Sequence, residues 1–252
     1  MAKDAKKTKI TGISPKLRFK FPKLNEPDYG TKEFPKPDGE FSTKGVGRLD
    51  DPQVQAFIAK WQPLHDDAIK RAEAEFAKLP VATRKKLGKV TVNPLYTELY
   101  DEETEEPTGE VEFKFAMQAS GTYKSGPKQG KKWRRKPDIF DAKGNKMDPA
   151  PSIWGGTIGR VAFEVGTDKE GQPGYFIPGT GAAGLTLRLA AARIIELVSE
   201  GSKDASAYGF DEEEEGYEYD PSSVQSNDDA SGSDAAGDDA AGDEAGSDNP
   251  DF

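Results

Sequence analysis

Charge is divided along this 252-residue chain more sharply than any other property. All 35 Lys and Arg lie at or before Lys203, while 17 of the 45 acids follow it with no base among them. That leaves 28 acids against 35 bases in the first 203 residues, a net charge of +7, so the overall −10 averages two segments of opposite sign. From Ser202 onward Asp, Glu, Gly, Ala and Ser displace nearly every bulky apolar residue. Such a segment cannot bury enough apolar area to offset the entropy of ordering it. The expected organisation is one folded domain over 1–203, opening with a mobile basic arm at 1–15, followed by a disordered acidic tail over 204–252.

Several classes of chemistry drop out at once. With no Cys, disulfides, thiolate zinc sites and cysteine nucleophiles are excluded, and a single His removes most transition-metal chemistry. No stretch approaches the roughly 20 apolar residues of a membrane span. The start, MAKDAKKTKI, is basic but lacks an apolar h-region, so it does not read as a secretory signal. No membrane association is expected, and a cytoplasmic protein is.

The folded part reads mainly as strands. In KLRFKFP, 16–22, Leu17, Phe19 and Phe21 alternate with Lys16, Arg18 and Lys20, which predicts a strand with one apolar and one basic face. FSTKGVGRL, 41–49, predicts a second strand after turn signals at Pro37-Asp38-Gly39. VEFKFAMQA, 111–119, alternates with Val111, Phe113, Phe115 and Met117 inward, and the acidic DEETEEPTGE before it, 101–110, reads as a solvated hairpin loop. SIWGGTIGRVAFEV, 152–165, and GYFIP, 174–178, predict two more strands. LTLRLAAARIIELV, 185–198, alternates at its start but has an Ala-rich centre suited to a helix. The clear helix is 50–80, with Asp51 as N-cap, Pro52 at the first helical position and an apolar stripe through Val54, Phe57, Ile58, Trp61, Leu64, Ala68, Ile69 and Phe76. Pro63 should kink it, and His65 falls in the packed stripe. A small Greek-key barrel or an α+β domain accommodates this order.

No enzyme emerges. GTGAAG, 179–184, follows a strand but has no further strand–helix units after it to complete a dinucleotide fold, and reads as a turn. SGPKQGKK, 125–132, has too few residues between its glycines for a P-loop and Lys132 where Ser or Thr must stand. A nuclease using the 101–110 carboxylates is the enzymatic rival. No catalytic residue, metal or cofactor is expected.

Lys124 to Lys146 carries nine bases against Asp138 and Asp141, with Trp133 inside KKWRRK. A binder of single-stranded nucleic acid needs cations for the phosphates and flat rings for the unstacked bases. Trp133 among Lys131, Lys132, Arg134 and Arg135 supplies both. Lys16, Arg18 and Lys20 add a second basic face. Trp154, Tyr175 and Phe176 are further stacking candidates, each of which could equally be core, and alternation lets only one of Tyr175 and Phe176 face a groove. Tethered to such a groove, the tail is an intramolecular polyanion at millimolar effective concentration, on the order expected for a flexible linker. Phe252 gives it one anchor at its tip.

EPDYG at 26–30, the Asp51-Pro52 helix with His65, FKF at 113–115, FDAKGNKM at 140–147, IWGG at 153–156, the 185–198 segment and the acidic end closed by Asp251-Phe252 together resemble the single-stranded DNA-binding proteins of short-tailed bacteriophages. The resemblance implies an OB-fold, a five-stranded Greek-key barrel with a long inserted helix, and makes 185–198 a strand. It also implies single-stranded DNA as ligand, roles in replication, recombination and repair, and location in the infected host's cytoplasm. Tyr175 or Phe176 would contact DNA, a homodimer is implied, and Asp248, Asp251 and Phe252 would engage a replicative DNA polymerase and a helicase-primase. An acidic-tailed chaperone or DNA mimic acting on basic proteins is the rival.

Overall fold

The computed structural model describes residues 9–199. In chain order these form β1 (Thr11–Ile13), β2 (Leu17–Gly30), β3 (Pro35–Arg48), α1 (Pro52–Lys78), α2 (Val81–Leu87), β4 (Thr91–Val92), β5 (Thr97–Tyr100), β6 (Pro107–Gln118), β7 (Ser120–Thr122), β8 (Lys132–Arg134), β9 (Asp138–Phe140), β10 (Ile158–Val165), β11 (Tyr175–Ile177), β12 (Ala182–Gly184) and β13 (Leu187–Glu196).

Five of these strands close on themselves. β2 pairs with β3 and β3 with β6, both antiparallel; β6 pairs with β13 in parallel; β13 pairs with β10, and β10 with β2, antiparallel again. This cyclic order, 1-2-3-5-4 among the barrel strands, is that of an OB-fold. The 185–198 segment is therefore a strand despite its alanines. β13 pairs with β6, β9 and β10, so burial on the barrel wall outweighs helix propensity there. β6 follows its alternation closely, with Val111, Phe113 and Phe115 fully buried and Met117 nearly so.

α1 is inserted between the second and third barrel strands. Asp51 caps it by accepting a hydrogen bond from the Gln53 amide at 2.7 Å, and Pro52 opens it. The helix continues through Pro63. Its first half packs Phe57 on Phe113 and Phe163, and Trp61 on Phe163, at centroid distances of 5.1, 5.8 and 5.2 Å. Its second half, with Ala72, Ile69 and Phe76, covers a smaller cluster formed by Val90, Ala183 and Phe176.

Three expectations need correction. Phe21 is not inward: it is 67% exposed, at φ 51°, where the β2–β3 register shifts between Lys20 and Lys23. The bulge resets the alternation, so burial passes from Leu17 and Phe19 to Leu24. The Pro37-Asp38-Gly39 turn is not a turn between strands; it lies inside β3, and the chain reverses instead at Thr31–Phe34, where the Thr31 amide donates to the Phe34 carbonyl. Within the expected arm, Thr11–Ile13 pairs with Ala162–Glu164 of β10 and Ser14 is buried. GTGAAG is a turn at 179–181, and its last three residues form β12. The tail residues Asp248, Asp251 and Phe252 lie outside the described residues.

Candidate nucleic-acid interface

The outward side chains of β2, β3 and β6 put like charges in register. Lys20 is the cross-strand partner of Lys44, and Lys44 of Lys114. Cβ atoms of directly opposed residues stand about 5 Å apart, and like charges so placed weaken a sheet. One carboxylate relieves the row: Lys44 Nζ lies 2.7 Å from Glu112 Oε1. A lysine row on adjacent strands of one barrel face is a disposition that an arriving polyanion would stabilise.

Beside this row three clefts of about 420, 400 and 510 Å³ adjoin one another. Tyr29, Trp133, Lys132 and Arg134 line the first, and Arg135 is shared with the second, which adds Arg188 and Gln118. Glu40, Ala116 and Thr186 are shared with the third, which adds Lys44, Lys114, Tyr96 and Tyr175. The result is one trough across the second and third barrel strands, with aromatic rings at both ends and guanidiniums between. Among the described residues, none of Lys114, Lys132, Arg134, Arg135 and Arg188 makes an ion pair. Desolvation at the groove wall, and then the Arg188 guanidinium, push Arg135 below the ordinary guanidinium range, against a weaker opposing pull from Glu164. Two neighbouring guanidiniums, neither in an ion pair among the described residues, form a seat for a phosphate.

Trp133 owes its position to its neighbours. Gly121 on β7 is its cross-strand partner, and a Cβ there would come within 2.5 Å of the indole, so the ring lies directly over the glycine backbone. Arg135 covers the ring with its guanidinium 4.8 Å from the centroid, held by its Nε donating to the Gln118 carbonyl at 2.8 Å. Gly121→Ala should therefore displace the indole. Its backbone is not left-handed, so the clash is the only strain introduced. Measured by Trp emission, the variant should shift to the red and lose severalfold in oligothymidine quenching; a spectrum and titration equal to wild type would refute this packing.

At the other end, Tyr175 is fixed by a relay from α1. The His65 Nε2–H donates to the Asn93 carbonyl at 2.9 Å, and the Asn93 amide donates to the Tyr175 hydroxyl at 2.6 Å. His65 is 4% exposed, packed as its place in the stripe implied, and acts as a support for the ring that lines the trough.

Of the residues singled out from sequence, Lys132, Trp133, Arg134, Arg135 and Tyr175 come together in the trough, and Lys20 joins it through the lysine row. The others are placed elsewhere. Arg18 is engaged by Glu110 at 2.8 Å, Lys16 is exposed just before β2, and Lys131 sits on the loop before β8. Phe176 packs against the α1 cluster. Trp154, 48% exposed, lies where its backbone amide donates to Val198 and lines none of the three clefts. Residues that the sequence reading passed over are Tyr29, Lys44, Lys114, Arg188 and Glu112. Tyr29 stands within EPDYG and Lys114 within FKF, but Lys44 and Arg188 join the trough only through strand register.

A closed five-stranded barrel of this order, with a cationic, ring-lined trough over its second and third strands, belongs to the nucleic-acid-binding class of OB-folds. The family described as "Single-stranded DNA-binding protein, Bacteriophage T7" matches residues 19–197, and the chain belongs to that family. Among solved structures, gp2.5, a single-stranded DNA-binding protein encoded by bacteriophage T7, is similar in fold at TM-score 0.59 and 21% identity, over 84% of this chain and 100% of that one. The single-stranded DNA-binding protein of bacteriophage Enc34 in complex with ssDNA aligns at TM-score 0.43 and 11% identity, over 79% of this chain and 95% of the other. No curated protein sequence matches.

Proposed function

We propose that the trough is the single-stranded DNA site. Unpaired strands lie along it with phosphates on Lys20, Lys114, Arg135 and Arg188 and bases stacked on Tyr175, Tyr29 and Trp133. The observation that carries this reading is the continuity of the three clefts through Arg135 and through Glu40, Ala116 and Thr186. Arg135 occupies one face of the Trp133 ring in the free protein, so a base takes that face when the guanidinium turns to a phosphate. Stacking at about 1–3 kcal/mol per base with little hydrogen-bond readout gives broad sequence tolerance.

In this reading the protein is non-enzymatic. It coats template strands during replication, recombination and repair in the infected host's cytoplasm, with 1–203 as the binding domain and 204–252 as a tail. The 17 acids of that tail compete with DNA for the basic trough, and Asp248, Asp251 and Phe252 recruit the replicative polymerase and helicase-primase. A homodimer is the proposed assembly. Deleting residues 204–252 tests the arrangement: by fluorescence titration at low salt, oligothymidine affinity should rise severalfold while polymerase capture disappears. Loss of DNA binding on truncation would favour the rival reading of an acidic chaperone or DNA mimic.

A further inference from the structure

Glu112 is a carboxylate that phosphate binding does not explain. It is 9% exposed, on the barrel strand β6, with Val46 and Thr97 as its cross-strand partners. Its Oε1 takes the Lys44 ammonium at 2.7 Å. Its Oε2 is a buried side-chain oxygen with no hydrogen-bond partner among the described residues. An unsatisfied carboxylate oxygen at such a position lowers stability, and an apolar residue or threonine would fill a strand between Val46 and Thr97 at no such cost. The same side chain lines the cleft that holds Tyr175, Lys44, Lys114 and Tyr96.

We propose that Glu112 reads one base of the bound strand and favours guanine. The inference rests on the trough being the single-strand site. A base stacked on Tyr175 presents its edge to the wall of this cleft. A phosphate arriving beside the lysine row draws the Lys44 ammonium outward, and both oxygens of Glu112 then face the base. Guanine is the base whose pairing edge carries two adjacent donors, N1–H and the N2 amino group, which match the two oxygens of a carboxylate. Cytosine and adenine place a ring-nitrogen lone pair beside their amino group, and thymine flanks its one N–H with two carbonyls, so each sets an acceptor against an acceptor. The other acids that line the trough are engaged, Glu40 by Lys36 and Asp38 by the Gln118 amide, so Glu112 with its unpartnered Oε2 adds a preference at one position to a binder that is indifferent elsewhere.

The test uses the full-length protein and the shortest oligothymidine that it binds. One thymidine is replaced in turn at each position by deoxyguanosine or by deoxyinosine, which lacks the N2 amino group. At one position dG should bind on the order of tenfold tighter than dT, with inosine losing most of that gain. In Glu112→Gln the ratio of dG to dT affinity at that position should fall to about one. The oligonucleotide arm needs no variant, so it stands even if Glu112→Gln folds poorly. A flat scan with oligothymidine binding intact overturns the base contact and leaves the trough as the DNA site; a wild-type protein that binds no oligothymidine overturns both.

Discussion

Replacing Arg135 and Arg188 together by alanine is expected to weaken oligothymidine binding about 100-fold at low salt and to flatten the slope of log affinity against log salt by about 1.4. The slope follows from two phosphate contacts at about 0.7 each for single strands. The affinity loss follows from two charge-assisted contacts of about 1.5 kcal/mol apiece, tenfold each. Neither guanidinium has an ion-pair partner among the described residues, so both charges are available to phosphates. Desolvation first, and then the Arg188 guanidinium, hold Arg135 below the ordinary guanidinium range, and an anion seated between the two cations offsets both. The contrast is Arg18→Ala, whose guanidinium is already engaged by Glu110 and whose removal should cost little affinity. Titrations in which the double variant binds as wild type would remove the trough from the DNA path.

The second large effect is on stability. Phe163, 1% exposed, touches Phe57 and Trp61 of α1 at 5.8 and 5.2 Å and Phe115 of β6 at 5.5 Å, and a Cβ on Gly12 of β1 would fall within 2.6 Å of its ring. It is the point at which the barrel wall, the inserted helix and the first strand all meet. Phe163→Ala should cost about 3–5 kcal/mol, since these neighbours belong to separate elements and cannot all collapse into the space. Thermal unfolding should fall by roughly 10–15 °C for a domain of this size. A loss below about 1 kcal/mol in urea titration would mean that α1 is not held on the barrel through this ring.

The two results would bear on what a sequence can convey. The core of β6 was plain in the alternation of Val111, Phe113, Phe115 and Met117, and α1 in its cap, proline and stripe, because both signals are local. Phe21 carried the same local signal and went the other way. A one-residue bulge inverts every later assignment in a strand, and the left-handed turn at Phe21 leaves no mark that a ring in regular alternation would lack. The Ala-rich stretch of β13 ran against its propensity, and the family resemblance, not periodicity, identified it as a strand. In the trough, Trp133 and its arginines were legible as a dense basic run. Lys20, Lys44 and Lys114 were not legible as a group, since they stand 24 and 70 positions apart in sequence and meet only through registers that no single strand encodes. Gly121 gave no sign that it makes room for an indole.

The placement of β13 between β6 and β10 also fixes when the protein can become functional during synthesis. β10 and β6 are both complete before β13 exists, yet neither can seal against the other without it. At about 5–20 residues per second, the 31 residues from the end of β10 to the end of β13 keep a nascent chain waiting roughly 2 to 6 s with two open sheet edges. Arg188 arrives on that last strand. The trough is therefore finished only when nearly the whole folded part has left the ribosome, and the next residues to follow are the acidic ones.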